Sequence, residues 1–469
     1  MTLKESKVKM SITDKYLWVI TIIILCFIFV YQLFKNFSPY IVTKDIILQG
    51  KNYFMLVTFC ATGIFSVIFI KNIEKYGKAK SLFLLLSIFL VLSISYVNFG
   101  KRSWKGSDVA YDLYGQSIAV NEVGILNYMA NYNSYGVLPD ESKDNFSKHL
   151  NLLGVNEQVE RISTEKADIY GKQYHHFSMN PPLSSLICFF WMKIFGFSKG
   201  SLNLFILVIT FVNLIILYQL FCLLFQKAIA TWLSLVWITT PETLKILNPP
   251  TLEPFVIFFL LFAVYMFYLS EKKKRSGFHF VAGVFAGLAI YTKFTAIPIF
   301  LMFVILYTIN FIPRRFKPLR LFVLGSLSII SVFLFLGYNP VYTIITAGLK
   351  TQYYIRNNPL SFVRYISLPL YLGFPMLALV FLAIKEAIKP ARNKIKIFEN
   401  NENFLYFVTF ILMYIIYFST DAPNRYCMPY FPLLLIILGR YIQEKENCLS
   451  RYNYIFFFNL PFIVLSEFL

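Results

Sequence analysis

The sequence has little charge. Only 14% of its 469 residues are Asp, Glu, Lys or Arg, whereas soluble proteins carry roughly 25%. Apolar residues make up 57% of the chain, and runs of about 20 residues without charge, long enough to cross a bilayer, recur from end to end. This composition excludes a soluble domain and predicts an all-α, polytopic integral membrane protein.

The sequence also lacks a cysteine motif. Its six cysteines include no CxxC pair, and most lie in apolar runs, which predicts lipid-buried thiols. We find no internal repeat and no low-complexity tract. The net charge is +20, but the basic residues crowd the short connections between apolar runs, where they act as topology signals rather than as a nucleic-acid surface.

The apolar runs predict about thirteen transmembrane helices of the length that a bilayer requires. The N-terminal residues 1–15 are basic and lead into the first run without a small-residue cleavage signature, which predicts a retained anchor. The predicted spans lie near residues 16–34, 52–70, 81–98, 202–224, 228–242, 254–270, 278–292, 295–311, 319–338, 366–384, 403–419, 426–442 and 453–469.

One apolar segment, residues 181–196, opens with two prolines and is too short to span comfortably. If it does not cross, most basic connections share one side with the N-terminus, as the positive-inside rule requires. We therefore predict a re-entrant or surface helix, a cytoplasmic N-terminus and an external C-terminus. The predicted organisation is an N-terminal two-span hairpin (1–80), a transmembrane catalytic module (81–440) and a C-terminal span (441–469).

Residues 99–180 form a long polar loop on the predicted outer side, and structureless loops of this length are usually functional. Residues 112–127 have apolar side chains at helical spacing, which predicts an amphipathic helix on the membrane surface.

Ionisable residues near the bilayer edge are costly and are therefore candidate site residues. Under the predicted topology, the notable ones all lie on the outer side. They are Asp108, Asp112, His175, His176, Glu253, Lys293, Arg356, Arg364, Asp421 and Arg425. Cations of this kind can bind a lipid-linked phosphate, and a carboxylate can take a proton from an acceptor hydroxyl. The combination indicates glycosyl transfer or phosphoryl-lipid transfer.

Four segments extend this interpretation, in a fixed order along residues 81–440. They are Ser107-Asp108-Val-Ala-Tyr111-Asp112-Leu-Tyr114 followed by Gly124; Tyr174-His175-His176-Phe-Ser-Met-Asn180-Pro181-Pro182-Leu183 with Phe195-Gly196; Gly283-Val-Phe-Ala-Gly287-Leu-Ala-Ile-Tyr-Thr292-Lys293; and Arg425-Tyr426-Cys-Met-Pro429-Tyr-Phe-Pro432. Together they resemble the polyprenyl-phosphate-sugar glycosyltransferases of the GT-C superfamily, which includes protein O-mannosyltransferases and aminoarabinose transferases.

The resemblance implies a role for each matching residue. Asp108 or Asp112 corresponds to the loop carboxylate that acts as base or orients the acceptor, and Glu253 resembles a second acid at the start of a later span. Lys293 and Arg425 resemble cations that contact the donor phosphate. Asn180 stands where the family often has histidine, so an imidazole role in substrate binding would move to His175 or His176. Arg356 and Arg364 are outside these motifs and are candidate phosphate or lipid contacts because they are cations on the predicted outer side.

Simpler explanations exist for several of these residues. Glu253 begins a predicted helix, where the helix dipole favours an acid in any case. Arg356 and Arg364 lie among aromatic residues that could form an interfacial belt. The resemblance implies no certain cofactor, although a divalent metal is possible. The expected partners are a polyprenyl-phosphate sugar, membrane lipid and a glycan, lipid or protein acceptor, and no nucleic acid. The competing hypotheses are a lipid or polysaccharide transporter or flippase and a non-enzymatic assembly subunit.

Overall fold

The computed structural model describes residues 58, 61–70, 72–99, 108–131, 181–247, 250–311, 317–338, 381–382, 385, 402–412 and 427–444. Within these ranges the chain is helical with short connections and contains no strand, which confirms the all-α prediction. The predicted spans 16–34 and 453–469 lie outside the described residues, as does nearly all of 366–384.

Twelve α-helices organise the described part of the chain. In chain order they are α1 (Lys78–Phe99), α2 (Asp108–Val123), α3 (Ile125–Asn131), α4 (Leu183–Phe195), α5 (Lys199–Leu224), α6 (Lys227–Ile238), α7 (Pro241–Lys245), α8 (Glu253–Lys273), α9 (Gly277–Thr292), α10 (Ile297–Phe311), α11 (Lys317–Phe335) and α12 (Phe431–Glu444). Three short 3-10 helices, Ile73–Lys75, Phe294–Ala296 and Met428–Tyr430, lie in the connections. Two further helical segments are Ala61–Ile70 and Glu402–Leu412.

Three helices of the described ranges, α5, α8 and α11, are long and apolar enough to cross a membrane by length and composition. They coincide with the predicted spans 202–224, 254–270 and 319–338. The predicted span 81–98 corresponds to the 22-residue helix α1, and the remaining predicted spans that the structure describes correspond to shorter helices. The chain is therefore a multi-pass membrane protein, as predicted.

Helix α4 lies within the segment that we predicted not to cross. Its 13 residues extend about 20 Å at the helical rise of 1.5 Å per residue, less than the roughly 30 Å of hydrocarbon in a bilayer. Phe190 and Ile194 on this helix are exposed. Its length and its exposed apolar side chains fit a helix that lies at the membrane interface.

Helix α6 is shorter than the predicted span 228–242, because the chain leaves the helix at Thr239. Pro241 lacks a backbone N–H and disfavours helical torsion angles in the residue before it. Thr240 is accordingly extended, with φ −74° and ψ 130°, and Pro241 begins the one-turn helix α7. The predicted continuous span was wrong at this end, and the chain between α6 and α8 is broken instead.

The glycine-rich helix α9 packs closely on α11. A Cβ atom added to Gly283 would lie 1.9 Å from the carbonyl oxygen of Phe322, and one added to Gly325 would lie 2.1 Å from the carbonyl oxygen of Phe280. The Ser326 hydroxyl donates a hydrogen bond of 2.9 Å to the carbonyl of Gly283. Small residues and interhelical hydrogen bonds of this kind let membrane helices approach closely.

A buried polar network ties α8, the segment Glu402–Leu412 and α12 together. The Arg440 guanidinium donates to Glu402 Oε2 at 2.5 Å and to Asn403 Oδ1 at 2.6 Å. The hydroxyls of Tyr268 and Tyr406 lie 2.6 Å apart, and the Tyr268 hydroxyl also contacts Glu402. Because each charge is paired and hydrogen-bonded, the network satisfies the conditions under which buried ions are tolerated.

We expect Gly283→Ala and Gly325→Ala to separate α9 from α11, because each new methyl group would meet backbone atoms that cannot rotate away. Overpacking of this kind costs about 1–3 kcal/mol. Thermal unfolding in detergent measures the loss. Gly277→Ala is the matched control, since nothing lies within 4 Å of its added Cβ. An equal loss in all three variants would contradict the packing role.

We expect Arg440→Met to destabilise the protein by about 3–5 kcal/mol, because it leaves the buried Glu402 carboxylate without its cation. The double variant Glu402→Gln/Arg440→Met removes both charges and is expected to recover most of the stability. Chemical denaturation of the detergent-solubilised protein compares the two. If the double variant were as unstable as the single one, the ion pair would not be the cause.

Candidate active site

Glu253 and Lys293 form a buried ion pair. Glu253 is the first residue of α8 and Lys293 directly follows α9, and the Lys293 Nζ lies 2.5 Å from Glu253 Oε1. The two residues are 1% and 7% exposed. Two charges removed from water cost several kcal/mol each before their attraction offsets the cost, so such a pair in a membrane protein marks a candidate site.

Helix α5 fixes the start of α8. The Asn213 side-chain amide donates a hydrogen bond of 2.8 Å to the carbonyl oxygen of Pro254, and Pro254 in the first turn suits a helix start because its missing N–H needs no partner there. Asn213 lies 14 residues after Lys199, or about 21 Å along α5. The ion pair is therefore beside the middle of α5 rather than level with its first turn.

The turn after α9 fixes Lys293. Helix α9 ends at Thr292, and Lys293 is extended, with φ −161° and ψ 132°, before the 3-10 helix Phe294–Ala296 begins. The Tyr430 hydroxyl donates a hydrogen bond to the carbonyl of Thr295 in this 3-10 helix. Tyr430 belongs to the fourth sequence motif, so the described part of that motif contacts the turn that carries Lys293.

The first and second motifs meet through α2 and α4. The Ser117 hydroxyl donates to the carbonyl of Ser185 at 3.2 Å. The Ser185 hydroxyl in turn donates to Gln116 Oε1, which also accepts from Tyr128 at 3.2 Å. Gln116, Ser117 and Ser185 are all buried. These contacts fasten the helix that begins at Asp108 to the helix that follows Pro182.

Apolar packing connects these helices to α9. Tyr291, two residues before Lys293, stacks on Phe333 with ring centroids 4.0 Å apart. The same cluster of buried side chains contains Val120 of α2 and Leu186 of α4. The helices that carry the first and second motifs thus share an apolar cluster with Tyr291 of the third motif.

The predicted surface helix at residues 112–127 differs from the structure. Helix α2 begins earlier, at Asp108, and ends at Val123, and Gly124 with φ +80° separates it from α3. Leu113, Ile118 and Val120 are buried in protein. The apolar spacing reflected packing against α4 and its neighbours rather than contact with lipid.

The structure brings together two of the predicted site residues, Glu253 and Lys293. For Asp108 and Asp112 it describes only their backbone, in the first turns of α2. The other predicted site residues lie outside the described ranges. These are His175, His176, Asn180, Arg356, Arg364, Asp421 and Arg425.

The sequence analysis missed a second buried ion pair close to Glu253 in the chain. Lys245 Nζ lies 3.1 Å from Glu242 Oε1, and their side chains are 10% and 7% exposed. Both residues stand between two apolar runs, where the cost of an ionisable group could have singled them out. Among the described residues, no group of three or more His, Cys, Asp or Glu side chains could hold a metal ion.

Comparison with known proteins supports the resemblance. Residues 179–338 match the family model of the dolichyl-phosphate-mannose-protein mannosyltransferases. This range contains Glu253, the glycine-rich third motif with Lys293 and the Pro181-Pro182 part of the second. The motifs at Asp108 and Arg425 lie outside it.

Among solved structures, the chain is similar to ArnT from Cupriavidus metallidurans, crystallised with undecaprenyl phosphate. The sequence identity is 15% and the TM-score is 0.47, and the alignment covers 76% of this chain and 59% of ArnT. No curated protein sequence matches the chain. The family-model match confirms the predicted resemblance over residues 179–338, where the chain is similar to the dolichyl-phosphate-mannose-protein mannosyltransferases.

Proposed function

We propose that the protein is a membrane glycosyltransferase that moves a sugar from a polyprenyl-phosphate donor to an acceptor hydroxyl on the extracytoplasmic side of the cell membrane. The observation that carries this proposal is the buried Glu253–Lys293 ion pair inside the family region at residues 179–338. The family description names a lipid-phosphate sugar, dolichyl-phosphate-mannose, as donor, and a lysine suits the phosphate of such a donor.

The direction of the helices supports the proposed side. Helix α8 runs from Glu253 to the exposed basic stretch 272–275, and α9 returns from Gly277 to Lys293. Helix α11 runs parallel to α9, because Gly283 packs on Phe322 and Tyr291 on Phe333, and α11 begins with Lys317. The basic ends therefore share one side, opposite the ion pair, and the positive-inside rule makes that side cytoplasmic.

The proposed topology and division of the chain follow from this orientation. The N-terminus is cytoplasmic and the C-terminus external, with residues 1–80 as a two-span hairpin, 81–440 as the catalytic module and 441–469 as a final span. One contact supports the attachment of the hairpin to the module, a hydrogen bond of 2.5 Å from Lys227 Nζ to the carbonyl of Tyr76.

The proposed reaction is a direct displacement at the anomeric carbon with inversion. The acceptor hydroxyl attacks the anomeric carbon, the bond to the phosphate oxygen breaks, and the lipid phosphate leaves with the electron pair. A carboxylate of α2, Asp108 or Asp112, takes the hydroxyl proton. Lys293 stabilises the charge that develops on the departing phosphate, and Glu253 fixes the position of the lysine side chain.

The remaining predicted site residues fit around this centre. Arg425 precedes Tyr430, which contacts the turn that carries Lys293, and it serves as a second phosphate contact. Arg356 and Arg364 bind the lipid phosphate or its headgroup surroundings. His175, His176 and Asn180 precede α4 and contact the sugar or the acceptor. The acceptor is a glycan, a lipid or a protein.

Asp108→Asn is expected to abolish transfer while leaving membrane insertion intact, because the amide cannot take the acceptor proton. The assay supplies purified protein with radiolabelled polyprenyl-phosphate hexoses and follows the label that leaves the lipid. Asp112→Asn is the matched variant, four residues along the same helix. Normal transfer by Asp108→Asn with loss in Asp112→Asn would assign the base to Asp112. Transport of the labelled lipid in vesicles without any sugar product would instead favour the transporter hypothesis.

The double variant Glu253→Gln/Lys293→Met removes both charges of the pair and so leaves no unpaired buried ion. We expect transfer to fall by about 10²–10³-fold, the usual effect of removing one group that stabilises the transition state. Thermal unfolding is expected to remain near that of the unmodified protein.

The control is Glu402→Gln/Arg440→Met, which removes a buried ion pair from the other end of α8. It is expected to retain transfer. Similar losses of transfer in both double variants would mean that the Glu253–Lys293 pair supports transfer only by stabilising the fold.

A further inference from the structure

The break between α6 and α8, described at residues 239–247 and 250–252, contains a set of local hydrogen bonds. The hydroxyls of Thr239, Thr240 and Thr243 donate to the carbonyls of Leu235, Val236 and Trp237, at 2.7, 2.8 and 2.6 Å, in the last turns of α6. The Leu235 and Trp237 carbonyls also accept from the backbone N–H groups of Thr239 and Thr240, so the hydroxyls add further bonds at the end of the helix. The break ends at Glu253, the first residue of α8. Helix α5 holds this residue level with the middle of α5. Irregular backbone at this depth is tolerated where it is buried in protein or lines a cavity.

The Glu242–Lys245 ion pair lies in this break, on the one-turn helix α7. The helix dipole favours an acid in the first turn and a base in the last, but only by about 0.3–1 kcal/mol each. Burying two charges costs several kcal/mol per ion. Helix position alone therefore does not explain why both side chains are ionisable and nearly enclosed, at 7% and 10% exposure.

Helix α7 contacts the helix that precedes Asp108 in the chain, and it also precedes Glu253. Helix α7 packs against α1 and α6. Helix α1 ends at Phe99, nine residues before Asp108, and the chain after α7 reaches Glu253 eight residues after Lys245. The second ion pair thus lies on a helix that contacts α1 and that precedes the first ion pair by eight residues in the chain.

A second observation points to a ligand at the end of this segment, beside Glu253. The Thr251 hydroxyl and the Asn213 side-chain oxygen are buried and form no hydrogen bond with any residue that the structure describes, and the two residues are 2% and 0% exposed. Buried polar atoms without partners are rare and costly, and they often mark functional positions. Both flank Glu253, since Thr251 precedes it by two residues and Asn213 bonds the carbonyl of Pro254.

We propose that Lys245 is a second phosphate-binding cation, which exchanges Glu242 for an oxygen of the lipid-linked phosphate, and that Thr251 binds a hydroxyl of the attached sugar. This inference rests on the proposed function and assigns the sugar-phosphate head of the donor to the break between α6 and α8. A lysine suits such an exchange, because its ammonium group is a compact charge with three rotatable donors. The break must open for the donor to reach these enclosed groups.

The first experiment measures binding of undecaprenyl phosphate, without sugar, to purified protein in detergent. The variant is Glu242→Gln/Lys245→Met, which leaves no unpaired charge and should keep its thermal stability. We expect the Kd to rise by about 10–100-fold, the equivalent of one charged hydrogen bond. The control is Lys78→Met, which removes one exposed lysine at the start of α1 and should bind normally. An unchanged Kd in the double variant would show that the ion pair is structural.

Inorganic phosphate and a soluble sugar 1-phosphate serve as competitors in the same assay. If the site recognises the lipid-linked phosphate, neither competitor displaces the lipid at millimolar concentration. Displacement by the sugar 1-phosphate would assign Lys245 to a free phosphorylated sugar and overturn the lipid assignment. Because this assay needs no sugar transfer, an inactive but lipid-binding protein would contradict the proposed function and still decide the role of Lys245.

The second experiment uses Thr251→Val, which removes a buried hydroxyl of nearly unchanged side-chain volume. A buried hydroxyl without a hydrogen-bond partner destabilises the fold, so its removal should not lower the unfolding temperature. We expect KM for the sugar-loaded donor to rise by about 5-fold and the Kd for undecaprenyl phosphate to stay the same. Thr210→Val, on α5 close to Asn213, is the matched control because its hydroxyl bonds the carbonyl of Ile206. An unchanged KM in Thr251→Val would remove Thr251 from the sugar site.

Discussion

The attraction between Glu253 and Lys293 is the interaction on which the packing at the start of α8 and the end of α9 depends. It joins the first residue of α8 to the residue that follows α9, so it sets the relative height of two neighbouring antiparallel helices. Asn213 of α5 holds one partner's helix start, and Tyr430 holds the turn of the other. These contacts hold the two charged residues next to each other.

The close packing of α9 on α11 serves the same end. Gly283 and Gly325 allow the two backbones to touch, which leaves α9 little freedom to slide or rotate. A lysine at the end of a loosely packed helix would sample many positions, and a charge that must meet a phosphate works best when it is held in place. The glycines of the third motif therefore allow the close packing that fixes the end of α9, where Thr292 and Lys293 lie.

The sequence predicted the class of the fold and both members of the central ion pair, because apolar run length and isolated charges at bilayer edges are local signals. It could not predict that Glu253 and Lys293 contact each other, since forty residues and two helices separate them. It placed the end of α6 too late, although Pro241 carried the needed signal. The apolar spacing of α2 was read as a lipid-facing surface, because periodicity shows that a helix has an apolar side but not what covers it. Glu242 and Lys245 were not predicted as site residues, because the predicted span 228–242 already included Glu242.

The two ends of α8 differ in their cations, and this difference agrees with the proposed catalytic role of the Glu253–Lys293 pair. About 22 Å separate Glu253 from Tyr268 along this helix. At the Tyr268 end, the guanidinium of Arg440 donates to Glu402, Asn403 and the Tyr268 hydroxyl, so moving this side chain breaks three hydrogen bonds at once. At the Glu253 end the cation is a lysine, whose single ammonium group can turn toward a new anion while its stem stays packed. A site that must release one anion and accept another is better built with lysine, and both ion pairs next to the start of α8 use it.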